Sequence, residues 1–356
     1  MTDATERPEP DRQGDAPHPR HTPRLFGQDA AEAAVLAAWN GGRMPHGWML
    51  TGPRGVGKAT LAWRMARFLV TDPPARADDL DPAPGHPALR RLGALSHAGL
   101  LLLRRPWDDK AGRLRTEITV EEARRLNGFF ALSAGGRRVV IVDAADDLNR
   151  NAANAILKLL EEPPEGATIL LVAHRPAAIL PTIRSRCRSL ALHPLDEDAM
   201  RAALRQAGAD VTPAVLHLAE GSVGAALSIA EGGASTYVSL VRCLGGPMMD
   251  RGAARTLADG MTGRANAGKL DVALDMVRRL AHRAARAAVL GPSEPITAQE
   301  PDALRRLAPD LAAAQALIDV VQVALDRAAH AQAVNVDPSA ILWDVLVALD
   351  GHAASV

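Results

Sequence analysis

The stretch GWMLTGPRGVGKAT, residues 47–60, decides how the rest of the chain is read. GWML (Gly47 to Leu50) is short and apolar and runs directly into a glycine-rich turn. Gly52-Pro-Arg-Gly55-Val-Gly57-Lys58 then matches the GxxxxGK part of a Walker A loop. Such glycines let backbone N–H groups curl toward phosphates, and the lysine reaches the terminal ones. From Ala59 to Val70 the apolar residues Leu61, Ala62, Met65, Ala66, Phe68 and Leu69 fall mostly on one helical face. Strand, glycine turn and helix thus follow in the order a phosphate loop needs, which sets that reading above a chance glycine turn.

The loop lacks one group. After Lys58 stands Ala59, where a Ser or Thr normally holds Mg²⁺; Thr60 is one step on and points about 100° around the helix. Further along, RRVVIVD (Arg137 to Asp143) reads as a buried parallel strand ending on a carboxylate. Asp143 stands in the Walker B place, a hard oxygen ligand for Mg²⁺, in preference to a plain strand-end turn residue. The next residue is Ala144, and a methyl group cannot polarise an attacking water as a glutamate would.

Working outward, residues 1–23 read as a disordered tail, because they carry little apolar surface. A helix is expected from Asp29 to Trp39, stopped by Gly41-Gly42. Residues 71–99 are rich in Pro, Asp and Gly and carry little expected structure. Leu100 to Leu103 suits a strand, Thr119 to Leu132 a helix, and Asn151 to Glu162 another, halted by Pro163-Pro164. ATILLVA (Ala167 to Ala173) and SLAL (Ser189 to Leu192) supply further strands. Strands alternating with helices predict a mostly parallel sheet covered on both faces. After Pro194 the strands cease. Three short helices are expected over 196–206, 212–220 and 224–229, then longer helical periods over 270–289, 301–314, 315–330 and 338–349. The division that follows is a tail over 1–23, an α/β domain over 24–194, a helical lid over 195–232 and an all-α domain over 233–356.

Composition sets limits on function. In 356 residues, 41 Lys and Arg balance 41 Asp and Glu, and aromatics are only 3%. That disfavours a protein gripping a nucleic-acid backbone over its whole surface, and aromatic stacking platforms for single strands. Two cysteines, Cys187 and Cys243, exclude a disulfide-stapled scaffold and a four-cysteine zinc site within the chain. The polar, proline-rich beginning is unlike a signal peptide, and no apolar run is long enough for a bilayer; a cytoplasmic protein with no membrane partner is expected.

LFGQ (Leu25 to Gln28), PHGWMLTGPRGVGKATLAWRMARFL (Pro45 to Leu69) and VVIVDAADDLNRNAANAILKLLEEPPEGATILLVAHRPAAILPTIRSRC (Val139 to Cys187) resemble the AAA+ clamp-loader family of bacterial DNA polymerase III. The resemblance covers most of residues 24–230. It implies a P-loop NTPase fold with a RecA-like parallel sheet, a three-helix lid over 195–232 and a helical collar over 233–356 that joins subunits. The implied partners are ATP-hydrolysing gamma/tau-like subunits and a delta-like subunit in a hetero-pentameric ring, the sliding clamp, and primed DNA reached through the complex. Ser185-Arg186-Cys187 matches the family's SRC motif, whose arginine is donated to ATP held by the neighbouring subunit. A guanidinium inserted from the side offers several donors to phosphate oxygens and offsets charge developing during transfer. Without the resemblance, Arg184, Arg186 and Arg188 read as a solvated basic turn.

Departures from the active pattern accumulate. Ala173 and His174 stand where active relatives carry a polar sensor; His174 reads either as a substitute for it or, more simply, as a solvent-facing loop histidine. Gly224 stands where they place a lid arginine. Many members carry a four-cysteine zinc module, but no cysteine precedes Cys187, and His86 and His97 are too few and too widely spaced to replace it. Cys187 reads as buried packing. Arg104, Arg105, Lys110, Arg113 and Arg115 read as a solvated insertion in preference to a DNA contact.

The expectation is a non-hydrolysing ring subunit whose active contribution is Arg186, acting in trans. Its degenerate phosphate loop consists of Gly52, Gly55, Gly57, Lys58, Thr60 and Asp143. No cofactor is required and no zinc or other metal is expected; the sequence leaves ATP and Mg²⁺ binding open. Catalysis is expected of the polymerase holoenzyme and not of the isolated chain. The alternative is an ATP-hydrolysing AAA+ clamp loader or related replication ATPase. A P-loop small-molecule kinase leaves the SRC stretch unexplained.

Overall fold

Near-continuous runs of Val, Ile and Leu build the sheet, as expected for strands buried on both faces. The computed structural model describes residues 9–12, 16–110, 112–131, 136–209, 211–263, 266, 268–292 and 294–356. Among these the strands are β1 (Gly47–Thr51), β2 (Leu100–Arg104), β3 (Trp107–Asp108), β4 (Arg113–Leu114), β5 (Arg138–Asp143), β6 (Ala167–Val172) and β7 (Arg188–Ala191). Five of them form one parallel sheet in the order β2-β5-β6-β1-β7, and β3 and β4 make a separate antiparallel pair. Register places Asp143 beside Arg104 on one side and Val172 on the other. The loops after β1, β5 and β6 therefore open at the same edge, at the carboxyl ends of adjacent strands. Open parallel sheets place their ligand crevices there.

The chain divides into two compact units, Met1–Val211 with Glu220–Leu227, and Thr212–Ala219 with Ser228–Val356. The segment 195–232, read from sequence as one lid, is shared between them. In the first unit the helices Asp29–Asn40, Lys58–Val70, Val120–Ala131 and Arg150–Glu161 flank the sheet, close to their expected spans. A short helix, Pro87–Gly93, also forms within the connection expected to be unstructured, with His86 Nδ1 accepting from the Ala88 amide. The core beneath β5 and β6 holds Val140, Val142, Ile156, Ile169 and Leu171, all fully buried.

The expected disordered tail over 1–23 needs correction where it is described. Residues 1–8 and 13–15 lie outside the described residues; 9–12 and 16–23 are packed on the first unit. Arg104 donates to Glu9 (2.9 Å) and Asp11 (2.5 Å), and Arg20 to Glu9 (2.5 Å). Arg67 donates to the carbonyls of Arg20 and Thr22, while His18 meets Trp63 edge-on. Burial pushes the Asp11 carboxyl up, but His18 and Arg104 outweigh it and hold it below its ordinary value. Ion pairing orders a segment whose apolar content alone would not.

The second unit is helical: Ala234–Leu244, Arg251–Asp259, Lys269–Leu290, Glu300–Leu307, Leu311–Ala333 and Pro338–Ala353. The sequence-expected break near residue 314 falls instead at Ala308-Pro309-Asp310. There the Asp310 carboxylate caps the next helix by accepting from the Ala313 amide (2.8 Å). At the centre of this unit Glu300, fully buried, accepts from Arg283 (2.7 Å), the Ile296 amide and the Tyr237 hydroxyl. No single helix among the described residues is long and apolar enough to cross a membrane.

Candidate functional site

The turn after β1 needs backbone conformations that side chains resist: φ is +134° at Gly52, +76° at Gly55 and +102° at Gly57. A Cβ on Gly52 would lie 2.2 Å from the Leu192 carbonyl oxygen, and Gly55 is as closely confined. A Cβ there would lie 2.3 Å from Ser222 Oγ and 2.8 Å from the Gly224 nitrogen. Ser222 Oγ donates to the Arg54 carbonyl (2.9 Å) and accepts from the Ala225 amide (3.1 Å), while the Gly224 amide donates to the Gly55 carbonyl (3.1 Å). Residues 222–225 are therefore seated on the phosphate loop through backbone and one hydroxyl. Gly224 brings no charge to the place where a lid arginine was sought.

Lys58 opens the Lys58–Val70 helix and is buried. Its ammonium donates to the loop's own carbonyls, Gly52 at 2.6 Å and Pro53 at 2.5 Å. Burial pushes its pKa down to about 8, with Asp143 and Asp146 opposing. Thr60 lies half-buried in the first turn of the helix. Asp143, at the end of β5, is also buried; burial first and then Asp11 push its carboxyl up to about 7, against the pull of Lys58. Lys58 and Asp143 thus feel each other's charge in a desolvated setting, but the lysine's hydrogen bonds go to the loop's own carbonyls.

His174, after β6, overturns its solvent-facing reading. Its Nδ1 is buried without a hydrogen-bond partner, and burial with the charges of Lys58 and Arg54 pushes the ring down to about 4. It is a neutral imidazole at physiological pH. Asp146 fixes the backbone here by accepting from the amides of His174 (2.6 Å) and Arg175 (2.5 Å). The sequence signal was its place one residue beyond a buried strand, on the edge that β1 and β5 share.

Arg186 lies elsewhere, between the short helix Pro181–Arg184 and β7, with its side chain about two-fifths exposed. Its backbone amide donates to the Ile183 carbonyl (3.1 Å), and β1 approaches closely: a Cβ on Gly47 would lie 2.6 Å from Leu160 Cδ2, 3.1 Å from Cys187 Sγ and 3.3 Å from the Arg186 carbonyl. Burial pushes the Cys187 thiol up to about 12, which suits packing and not nucleophilic work. Arg188 lies over the Trp48 ring at 5.1 Å, and Arg184, Arg186 and Arg188 are all exposed.

Three of the five basic side chains of the insertion are ion-paired and not merely solvated, Arg104 with Glu9 and Asp11, Arg105 with Asp147 (3.2 Å) and Arg115 with Asp108 (3.2 Å). Among the described residues no group of three or more His, Cys, Asp or Glu is arranged to hold a metal ion.

Residues 27–196 match the family model described as DNA polymerase III, delta subunit. Among curated proteins, the chain is 39% identical over 157 residues to the DNA polymerase III subunit delta' of Pseudomonas aeruginosa, covering 42% of this chain and 45% of that protein. It is 31% identical to the Escherichia coli delta' subunit, covering 56% of this chain and 58% of that one. The gamma/tau subunit of Mycobacterium tuberculosis is 32% identical over 243 residues, 62% of this chain and 39% of the relative. The chain thus spans between 39% and 58% of the length of these relatives.

Proposed function

Starting from the premise that residues 27–196 belong to the DNA polymerase III clamp-loader family, we propose that this chain is a delta-prime-like subunit that does not hydrolyse ATP. In this reading it is the stator of a hetero-pentameric ring with gamma/tau-like and delta-like subunits, which sets a sliding clamp on primed DNA. Residues 24–194 serve as the AAA+ domain, 195–232 as the lid and 233–356 as the collar.

The relatives carry both delta' and gamma/tau names, so family membership alone does not separate a stator from an ATPase. The observation that carries the choice is Lys58, whose ammonium is bonded to the carbonyls of Gly52 and Pro53. Around it the donor set does not fit Mg²⁺–ATP turnover. Ala59 replaces the metal-holding hydroxyl, Ala144 replaces the water-polarising carboxylate, Gly224 brings no lid charge, and Asp143 is held above the ordinary carboxylate range. No hydrolytic step is derived through this site. Arg186 supplies what the chain gives to catalysis: an outward guanidinium on a fixed backbone, suited to a phosphate presented by a neighbour.

Two measurements test this. The isolated chain, titrated with a fluorescent ATP analogue and Mg²⁺ and assayed for phosphate release, is expected to show no turnover; robust turnover overturns the stator reading in favour of a gamma/tau-like ATPase. In a reconstituted ring, Arg186→Ala is expected to leave assembly intact and to slow hydrolysis at the one site it serves by roughly 10³-fold, the low end for an arginine finger. Unchanged DNA-stimulated ATPase and clamp loading in a verified ring refutes the finger role.

A further inference from the structure

Arg186 is not idle in this chain. Its Nη2 pairs with Glu161 Oε1 at 3.0 Å, and its Nη1 donates to the Thr182 carbonyl at 3.1 Å and, at the limit of 3.5 Å, to Ser185 Oγ. Glu161 is the last residue of the Arg150–Glu161 helix. The residue before it, Leu160, packs where β1 begins at Gly47, and its carbonyl accepts from His46 Nε2 at 3.1 Å. The end of that helix therefore does two things at once. Leu160 packs in the core cluster that Cys187 borders, and Glu161 holds the Arg186 guanidinium at the surface.

We propose that Glu161 is a positioning residue that competes with phosphate for Arg186, so that the finger stays docked on its own subunit until a neighbour presents a nucleotide. This rests on the finger reading of Arg186. Glu161 and Arg186 are 43% and 39% exposed, and an exposed pair of this kind is weak and screened by salt. A weak pair is what a releasable hold requires: it keeps one rotamer preferred, yet gives way to a polyphosphate of higher charge. As the guanidinium moves to phosphate, the carboxylate is left without its partner and close to a second anion, and both effects oppose engagement. Removing the charge of Glu161 should therefore favour engagement. Loss of a merely structural contact would do the opposite.

The test uses the complete ring, reconstituted with its ATP-hydrolysing partners and with the partners' other ATP sites inactivated. Wild type, Glu161→Gln, Glu161→Asp, Arg186→Ala and the Glu161→Gln/Arg186→Ala double variant are compared for affinity toward a fluorescent ATP analogue, and for KM and kcat. At low salt Glu161→Gln is expected to tighten the analogue and lower KM by about 1.5- to 5-fold, the range of an exposed ion pair. It should leave kcat within about twofold, since the guanidinium itself is intact. The gain should fade as ionic strength rises, Glu161→Asp should return KM toward wild type, and the double variant should match Arg186→Ala. If Arg186→Ala is impaired while Glu161→Gln weakens or does not change analogue affinity, the competition is refuted and the finger stands. A Glu161→Gln gain that persists in the Arg186→Ala background refutes it equally. If Arg186→Ala behaves as wild type, the finger reading falls, and this inference with it.

Discussion

Replacing Asp143 with Asn should stabilise the protein above neutral pH, although the residue stands where a Walker B carboxylate is sought. In the folded chain burial holds its carboxyl at about 7, whereas an unfolded aspartate titrates near 3.9. The folded pKa lies above the unfolded one, so the folded state keeps the proton longer. Stability is therefore lost as pH rises from about 4 through 7, and the full penalty is present above pH 7. A shift of about three units corresponds to roughly 4 kcal/mol at 1.36 kcal/mol per unit, an upper bound for the gain from removing the charge. Asn also removes the counter-charge of buried Lys58, whose own pKa is already pushed down to about 8. That loss offsets about half, leaving about 2 kcal/mol, or about 4–8 °C in melting temperature for a unit of this size. Thermal melts of both proteins between pH 4 and 8.5 provide the assay. The difference should be largest at pH 8 and shrink through pH 7 toward nothing near pH 4. An Asn variant less stable than wild type at pH 8, or a gap independent of pH, would refute the reasoning. A carboxylate that ligates Mg²⁺ must be ionised, so the same melts with Mg²⁺–ATP bear on function: selective stabilisation of wild type would mean that Asp143 is recruited after all.

Two further substitutions probe the closed loop and the helical unit. Gly55→Ala places a methyl against Ser222 Oγ and the Gly224 backbone at a φ of +76°; a loss of about 2–4 kcal/mol is expected from strain and clash. Hydrogen exchange at the Gly224 and Ala225 amides should speed up, and unchanged protection would show that the lid segment does not sit on the loop. In the second unit, Arg283→Met leaves buried Glu300 without its cation and should cost about 3–5 kcal/mol in chemical denaturation. Adding Glu300→Gln should recover part of that loss, and a double variant no better than the single one would count against an uncompensated charge as the cause.

How much could be read beforehand follows from the kind of interaction involved. The strands were legible because parallel strands buried on both faces are written as unbroken Val/Ile/Leu runs, and the Lys58–Val70 helix because its apolar face repeats with helical period. The break at Pro309-Asp310 carried a proline and a cap, but the alanine-rich periodicity on either side concealed it. Arg104 read as part of a solvated insertion because its neutralising partners, Glu9 and Asp11, lie more than ninety residues earlier in sequence. No local pattern encodes a long-range ion pair, and the same pairs hold down a segment that composition alone calls disordered.

The candidate site shows the same asymmetry between groups that are missing and groups that take their place. Ala59, Ala144 and Gly224 are visible in sequence as empty positions, and an empty position argues only against an activity. The structure adds what fills the space: loop carbonyls on Lys58, the 222–225 backbone on Gly55, and a neutral His174 turned inward. These contacts make the loop self-sufficient, because its lysine is satisfied without phosphate and its glycines serve a packing contact. A phosphate loop can then persist as architecture after its chemistry is gone. Arg186 differs in kind: its backbone amide is held by the Ile183 carbonyl, while its guanidinium is held at the surface by the Glu161 carboxylate and the Thr182 carbonyl. On the finger reading proposed above, that is the combination a neighbour's phosphate would require: an anchored backbone and a guanidinium whose surface contacts are weak enough to give way.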